Sequence, residues 1–111
     1  MDNTAELIVM GYPVDAEGNP ILDENGEQLP EETTRTIYVT ERTAYNNEIN
    51  QAALEGLKLE YKLETFLFDY DGETEIEYQG KRFSIYRATS KPVNEIVELL
   101  LTTRVGVSNG G

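Results

Sequence analysis

The chain has no cysteine and no histidine. Without cysteine there is neither a disulfide nor a thiolate zinc site, and sulfur redox chemistry is confined to two methionines. Without histidine the commonest general base near neutral pH and the commonest transition-metal ligand are both missing. Long apolar runs are absent too, none approaching the roughly 20 residues of a membrane span. The start, Met1-Asp2-Asn3, is acidic and polar, so no secretory leader is predicted and a cytoplasmic origin is expected. Positive charge is scarce: nine Lys and Arg stand against 21 Asp and Glu, a net charge of −12. So acidic a domain repels a nucleic-acid backbone, which argues against a DNA clamp; beyond that, acidity speaks only for solubility. The 111 residues suit one domain with a modest core, expected over 1–105 with a loose tail at 106–111.

The stretch Glu75–Arg87, E-I-E-Y-Q-G-K-R-F-S-I-Y-R, organises the rest. Gln79-Gly80 separates two alternating runs, and Gly supplies the positive φ of a two-residue hairpin loop. Closing there sets Tyr78 opposite Lys81, Glu77 opposite Arg82, Ile76 opposite Phe83 and Glu75 opposite Ser84. One face then holds Ile76, Tyr78, Phe83 and Ile85, and the other a Glu77–Arg82 charge pair. A one-residue slip would turn the apolar set outward. An isolated hairpin is marginal in water, so another element must cover its apolar face.

Ala5–Tyr12 predicts a first strand, with Gly11 marking a bulge. Pro13–Glu32 has three prolines, Gly18 and Gly26 in turn contexts, many carboxylates and no Lys or Arg. It reads as a long acidic loop with a frail hairpin around Ile21-Leu22. Thr33–Thr43 is β-branched and predicts the second strand. A helix is predicted over Asn47–Glu55, capped by Asn46 or Asn47, with Ile49, Ala52 and Ala53 on one face and Gly56 ending it. Leu57–Phe68 alternates again, Leu59, Tyr61, Leu63, Thr65 and Leu67 opposing Glu60, Lys62 and Glu64. Phe66 and Phe68 interrupt the polar side and read as a second core layer, with a partner surface as the other explanation. After turns at Asp69–Gly72 and Ser90–Pro92, Glu95–Val105 sets Val97, Leu99, Leu101, Thr103 and Val105 on one face. The fold class expected is mainly β: a small antiparallel β-barrel of about six strands, with one short α-helix and the long acidic loop.

Reaction chemistry is hard to find. Asp15-Ala16-Glu17-Gly18-Asn19 begins like a calcium loop, but Pro20 stands where that motif needs Gly. Asp23-Glu24-Asn25-Gly26-Glu27 has the wrong spacing as well, and a solvated acidic loop is the better reading. The carboxylate pairs Glu73/Glu75, Glu75/Glu77 and Asp69/Asp71 read as a solvated face, since a catalytic dyad would need one buried partner. Ser84 has no histidine to activate it. Tyr38, Tyr61, Tyr78, Phe83 and Tyr86 could stack bases only beside a basic groove, and acids interleave with Lys81, Arg82, Arg87 and Lys91. No enzyme, cofactor or metal is expected.

Taken together, helix and hairpin resemble a known family. The succession Asn47-Glu48-Ile49-Asn50-Gln51-Ala52, Gly56-Leu57-Lys58-Leu59-Glu60, Tyr70-Asp71-Gly72-Glu73 and Ile76–Arg87 is similar to the head–tail joining proteins of long-tailed bacteriophages and prophages. These are the head-completion or stopper proteins. Order and spacing carry the likeness, above all the Y-x-G-K-R-aromatic-x-I hairpin, and it extends to the closing strand and the early strand with its polar loop. Ile49 and Asn50 depart from the aromatic residues common in that helix, and Leu59 from a common proline. The resemblance implies a ring-forming subunit beneath the portal and adaptor rings that closes the DNA channel after packaging. Its partners would be further copies of itself, a portal-proximal adaptor and a tail-completion protein, with DNA only passing through. It implies a place at the head–tail interface of the virion, reached from the bacterial cytoplasm, with no membrane partner. The acidic loop, with Asp15, Glu17, Asp23, Glu24, Glu27, Glu31 and Glu32, is then the candidate plug or neighbour clamp. Phe66 and Phe68 are candidate subunit contacts. The rival readings are an acidic DNA mimic that inhibits a nucleic-acid enzyme, and an unrelated adaptor domain.

Overall fold

Six strands and one α-helix make up the computed structural model, which describes residues 2–105. The tail expected at 106–111 lies outside them. The strands are β1 (Asn3–Gly11), β2 (Glu31–Arg42), β3 (Leu57–Phe66), β4 (Glu75–Tyr78), β5 (Lys81–Lys91) and β6 (Ile96–Arg104), with α1 (Asn46–Leu54) between β2 and β3. All pairings are antiparallel, in the order β1-β2-β3-β6-β5-β4, and β4 returns to pair with β1. The sheet thus closes on itself.

The hairpin keeps its predicted register at all four pairs, Tyr78–Lys81, Glu77–Arg82, Ile76–Phe83 and Glu75–Ser84. Gln79 at φ 54° and Gly80 at φ 74° give the two positive values of a type I′ turn, whose twist matches that of the strands. The expected Glu77–Arg82 pair does not form. Arg82 instead bonds Glu75 on its own hairpin and both carboxylate oxygens of Glu32 on β2, at 2.8 Å each. A two-pronged grip on one carboxylate outcompetes a single cross-strand contact.

Alternation along the strands fills the interior. Leu7, Val39, Leu63, Ile76, Val97, Leu99 and Leu101 are fully buried, with Ala5, Ile37, Tyr78 and Phe83 nearly so. Tyr61 meets Tyr78 and Phe83 edge-on at 5.0 and 5.5 Å, so these aromatics are core residues rather than a base-stacking platform. Two bulges break the alternation. Glu60 is the extra residue of β3 and Tyr86 that of β5, both beside Leu101 of β6. Bulges sharpen the bend of a strand, and a pair flanking one residue curls the sheet around it. The Glu60 bulge also sets Leu59 opposite Thr102 while Tyr61 faces Leu101, so the predicted five-residue apolar side of β3 splits. No bulge lies at Gly11, which pairs in register with Glu31. β3 ends at Phe66, Leu67–Asp69 forming a 3-10 turn, and a second such turn, Pro92–Asn94, leads into β6.

The helix begins one residue before its predicted start, and neither asparagine caps it. Tyr45 is the capping residue, and its N–H donates to Glu48 Oε1 at 2.8 Å. Gly56, at φ 75°, follows the C-terminus as expected. Only Ala52 is buried on the helix; Ile49 and Leu54 remain exposed. Beneath it, on the outer face of the sheet, Leu100 and Lys62 are paired neighbours and both buried. The Lys62 ammonium is held by Glu48 at 3.1 Å and Glu98 at 3.6 Å and lies 4.1 Å from the centre of the Tyr45 ring. Tyr86 donates to Glu55 and Arg87 to Gln51, tying the far side of the helix to β5. Polar ties therefore dock this short helix where apolar contact is thin.

Burial alone pushes the Glu48 carboxyl up, but the Tyr45 N–H and the Lys62 ammonium bound to it outweigh burial and hold it below the ordinary 4.5. A depressed carboxylate contributes stability that is complete above its unfolded value and lost as pH falls through its folded one. Unfolding free energy is expected to decline once pH drops below about 4.5. Glu73, also held low, shares that window. Denaturant titrations across pH 3–6 should show a shallower decline in Glu48→Gln than in wild type. Gly80→Ala should cost about 1–2 kcal/mol through its positive φ alone, since nothing lies within 4 Å of the added methyl.

Candidate functional site

Between β1 and β2 the chain leaves the closed sheet as an arm. From Val14 to Thr36 every residue is exposed except Asp23, which is half-buried. The radius of gyration, 16.8 Å, exceeds the roughly 13 Å of a compact chain of this length. The predicted loop of 13–32 is shorter at its C-terminal end, because Glu31 and Glu32 already belong to β2, paired with Gly11 and Met10.

Two copies of one tight turn build the arm. Asp15 N–H donates to the Asn19 carbonyl and Gly18 N–H to the Asp15 carbonyl, while Asp15 Oδ1 accepts from the N–H groups of Glu17 and Asn19 at 3.0 and 2.9 Å. Eight residues later the pattern recurs: Asp23 bonds Glu27, Gly26 bonds Asp23, and Asp23 Oδ1 accepts from Asn25 and Glu27 at 2.8 and 3.0 Å. Gly18 at φ 85° and Gly26 at φ 82° occupy the left-handed position that closes each turn. Single bridges, Val14–Pro20 and Leu22–Gln28, follow the same spacing, as do Ile21 N–H to Pro13 and Leu29 N–H to Ile21. The expected hairpin around Ile21-Leu22 is therefore replaced by two turns with that dipeptide as the joint between them. The signal was present in the sequence as V-D-x-x-G and L-D-x-x-G at a spacing of eight.

The seven acidic candidates differ in what they bond. The Oδ1 atoms of Asp15 and Asp23 are committed to backbone donors, and Glu32 is gripped by Arg82, whose hydrogen bond holds that carboxyl below the usual range. Glu17, Glu24, Glu27 and Glu31 point free of any side-chain bond among the described residues. No group of three or more acidic side chains among the described residues is arranged to hold a metal ion. Apolar side chains share the arm and its base in β1: Met10, Tyr12, Val14, Ile21, Leu22 and Leu29 are all exposed, a feature the carboxylates obscure in the sequence.

Phe66 and Phe68 do not form a second core layer. Their rings stack on each other, 5.4 Å apart and 15° from parallel, and Phe68 is 78% exposed. The 3-10 turn lifts Phe68 off the strand, so the pair lies at the surface where β3 ends. Val93, 97% exposed, lies on the turn that enters β6 beside Ile96, the pairing partner of Phe66. The four basic residues Lys81, Arg82, Arg87 and Lys91 do not line a common groove: Arg82, Arg87 and Lys91 are engaged by Glu32 and Glu75, Gln51 and Glu98 respectively.

No protein-family model, curated protein or solved structure matches the chain.

Replacing Arg82 by Ala removes the side chain that joins the base of the arm to the hairpin. Amide exchange at Glu31–Thr34 should accelerate in this variant while the melting temperature changes little. Asp15→Ala and Asp23→Ala should each loosen only their own turn, seen as faster exchange at 16–19 or 24–27, a local loss of about 1 kcal/mol.

Proposed function

We propose that this chain is a structural head–tail connector of a long-tailed bacteriophage or prophage: a small β-barrel subunit without catalytic activity. It assembles as a homo-oligomeric ring beneath the portal and adaptor, closes the DNA channel after packaging and offers the tail its docking surface. The observation that carries the reading is the ordered succession of helix, Tyr70-Asp71-Gly72-Glu73 turn and Y-x-G-K-R-F-x-I hairpin. Supporting it are the hairpin register that this motif specifies and a closed sheet with one helix bound across its outside. The long acidic loop, built as an arm of two tight turns, supplies the plug or the clamp on a neighbouring subunit. Its carboxylates keep passing DNA from adhering. The stacked Phe66–Phe68 pair supplies a further contact between subunits. A DNA mimic would spread carboxylates at phosphate-like spacing over one surface, whereas seven of the acids here crowd one segment of 18 residues, 15–32.

Particles made from a phage or prophage lacking this gene test the proposal. Negative-stain microscopy should find DNA-leaking heads without tails, restored to tailed particles by the purified protein. Normal tailed particles from the deletion would end it. Deleting 13–30 and joining β1 to β2 by a short turn should leave the subunit folded but fail to retain DNA.

A further inference from the structure

The closed sheet has one long open edge. β2 pairs with β1 along Glu31–Val39, but with β3 only from Val39 to Arg42. Among the described residues, no strand lies beside the backbone of Glu31–Ile37 on the β3 side, and the next carbonyl, Tyr38, is taken by the Thr65 hydroxyl at 2.7 Å. In an antiparallel strand about every second residue turns its N–H and C=O to such an edge. Proteins blunt exposed edges with Lys, Pro, bulges or a covering loop. Glu31–Ile37 has no Lys, Pro or bulge, and three of its seven residues are threonine. Its one cation, Arg35, is drawn aside to the Asp69 carbonyl at 2.6 Å and Glu73 at 2.9 Å. The opposite edge of the same two-stranded ribbon, along β1, pairs with β4 only at Glu6 and Leu7, but the hairpin turn Gln79-Gly80 lies near Asn3–Ala5 and the Asp71–Thr74 segment near Ile8–Met10.

Charge decides what fits this edge. The first cation of the chain is Arg35; the preceding 34 residues carry nine carboxylates and no Lys or Arg. Two copies joined through β2 would bring their cation-free arms together, with a net −12 on each chain. We propose that the β2 edge over Glu31–Ile37 is a docking site for an extended, basic segment of a different protein, which adds to the sheet as a strand. Main-chain hydrogen bonds supply the affinity, and the carboxylates at Glu31 and along the arm select Lys or Arg in the incoming segment. The site stands independently of the connector reading, since it follows from pairing and charge alone.

A fluorescent probe of about ten residues alternating Lys with Val and Thr tests it, beside a control of equal charge with proline at every second position, unable to donate to an edge. By anisotropy the probe should bind wild-type protein about tenfold more tightly than the control. It should slow amide exchange at Glu31–Ile37, and Glu31→Lys should weaken it about threefold with the melting temperature unchanged. Equal affinity for probe and control would mean charge attraction without strand addition and would overturn the proposal. Protection confined to other strands would do the same. So would exchange at β2 that slows with protein concentration in the absence of probe, because a second copy would then own the edge.

Discussion

Closure of the sheet rests on a seam of two residue pairs, Leu7–Ile76 and Glu6–Glu77. The second pair sets like charges opposite each other and works against closure. Leu7 and Ile76, both fully buried, must therefore hold the seam through packing. Tyr78 completes it from one hydroxyl, donating to Glu41 of β2 at 2.6 Å and accepting from Asn3 of β1 at 3.2 Å. Burial and the Glu41 carboxylate both push this phenol up, so it stays protonated as the donor that the seam needs. All of this requires Ile76 and Tyr78 to face inward, which the register of the β4–β5 hairpin determines. Slipping that register by one residue would empty the seam as well as the hairpin face.

A short seam has a cost elsewhere. β4 has only four residues and covers two of β1, so the ribbon of β1 and β2 runs on past the closed part with little beside it. That overhang is the base from which the arm departs. It is steadied from outside the ladder, by Arg82 reaching Glu32 and by Arg35 reaching Asp69 and Glu73. The arm itself is ordered by contacts within eight residues of sequence, so it brings its own shape without support from the core. Core and arm are thus separately specified, and one can vary with little consequence for the other.

This separation also decided what was legible in the sequence. The hairpin was readable to the residue because its information is local: Gln79-Gly80 fixes the turn, and alternation on each side fixes the faces. Strand identity and the six-strand count followed from the same alternation. The bulges at Glu60 and Tyr86 were not readable, since a bulge is chosen by the curvature that closure demands of β6's neighbours. Asparagine preference alone misplaces the helix start, because Glu48 reaches back to Tyr45 to set the cap and its second bond, to Lys62, docks the helix. Strand periodicity, carried through the 3-10 turn that ends β3, favours a second core layer over a partner surface for Phe66 and Phe68, and that turn is what puts them at the surface instead. Composition described the acidic segment correctly as a place without cations and hid its repeated turn.

The charge pattern along the chain gives these features a common physical sense. All nine cations lie after residue 34, and of those, Arg35, Arg82, Lys62 and Lys91 are spent on carboxylates within the closed sheet and its helix. Glu17, Glu24 and Glu27 of the arm are left without a cation partner among the described residues, while its apolar side chains remain in water. Each of these alone is ordinary on a soluble domain. Together, on a segment whose backbone is already ordered by its own turns, they are the features on which the proposed contact with another molecule would act. A partner that brought both cations and apolar groups would lower the free energy of each at once, without first having to order the arm.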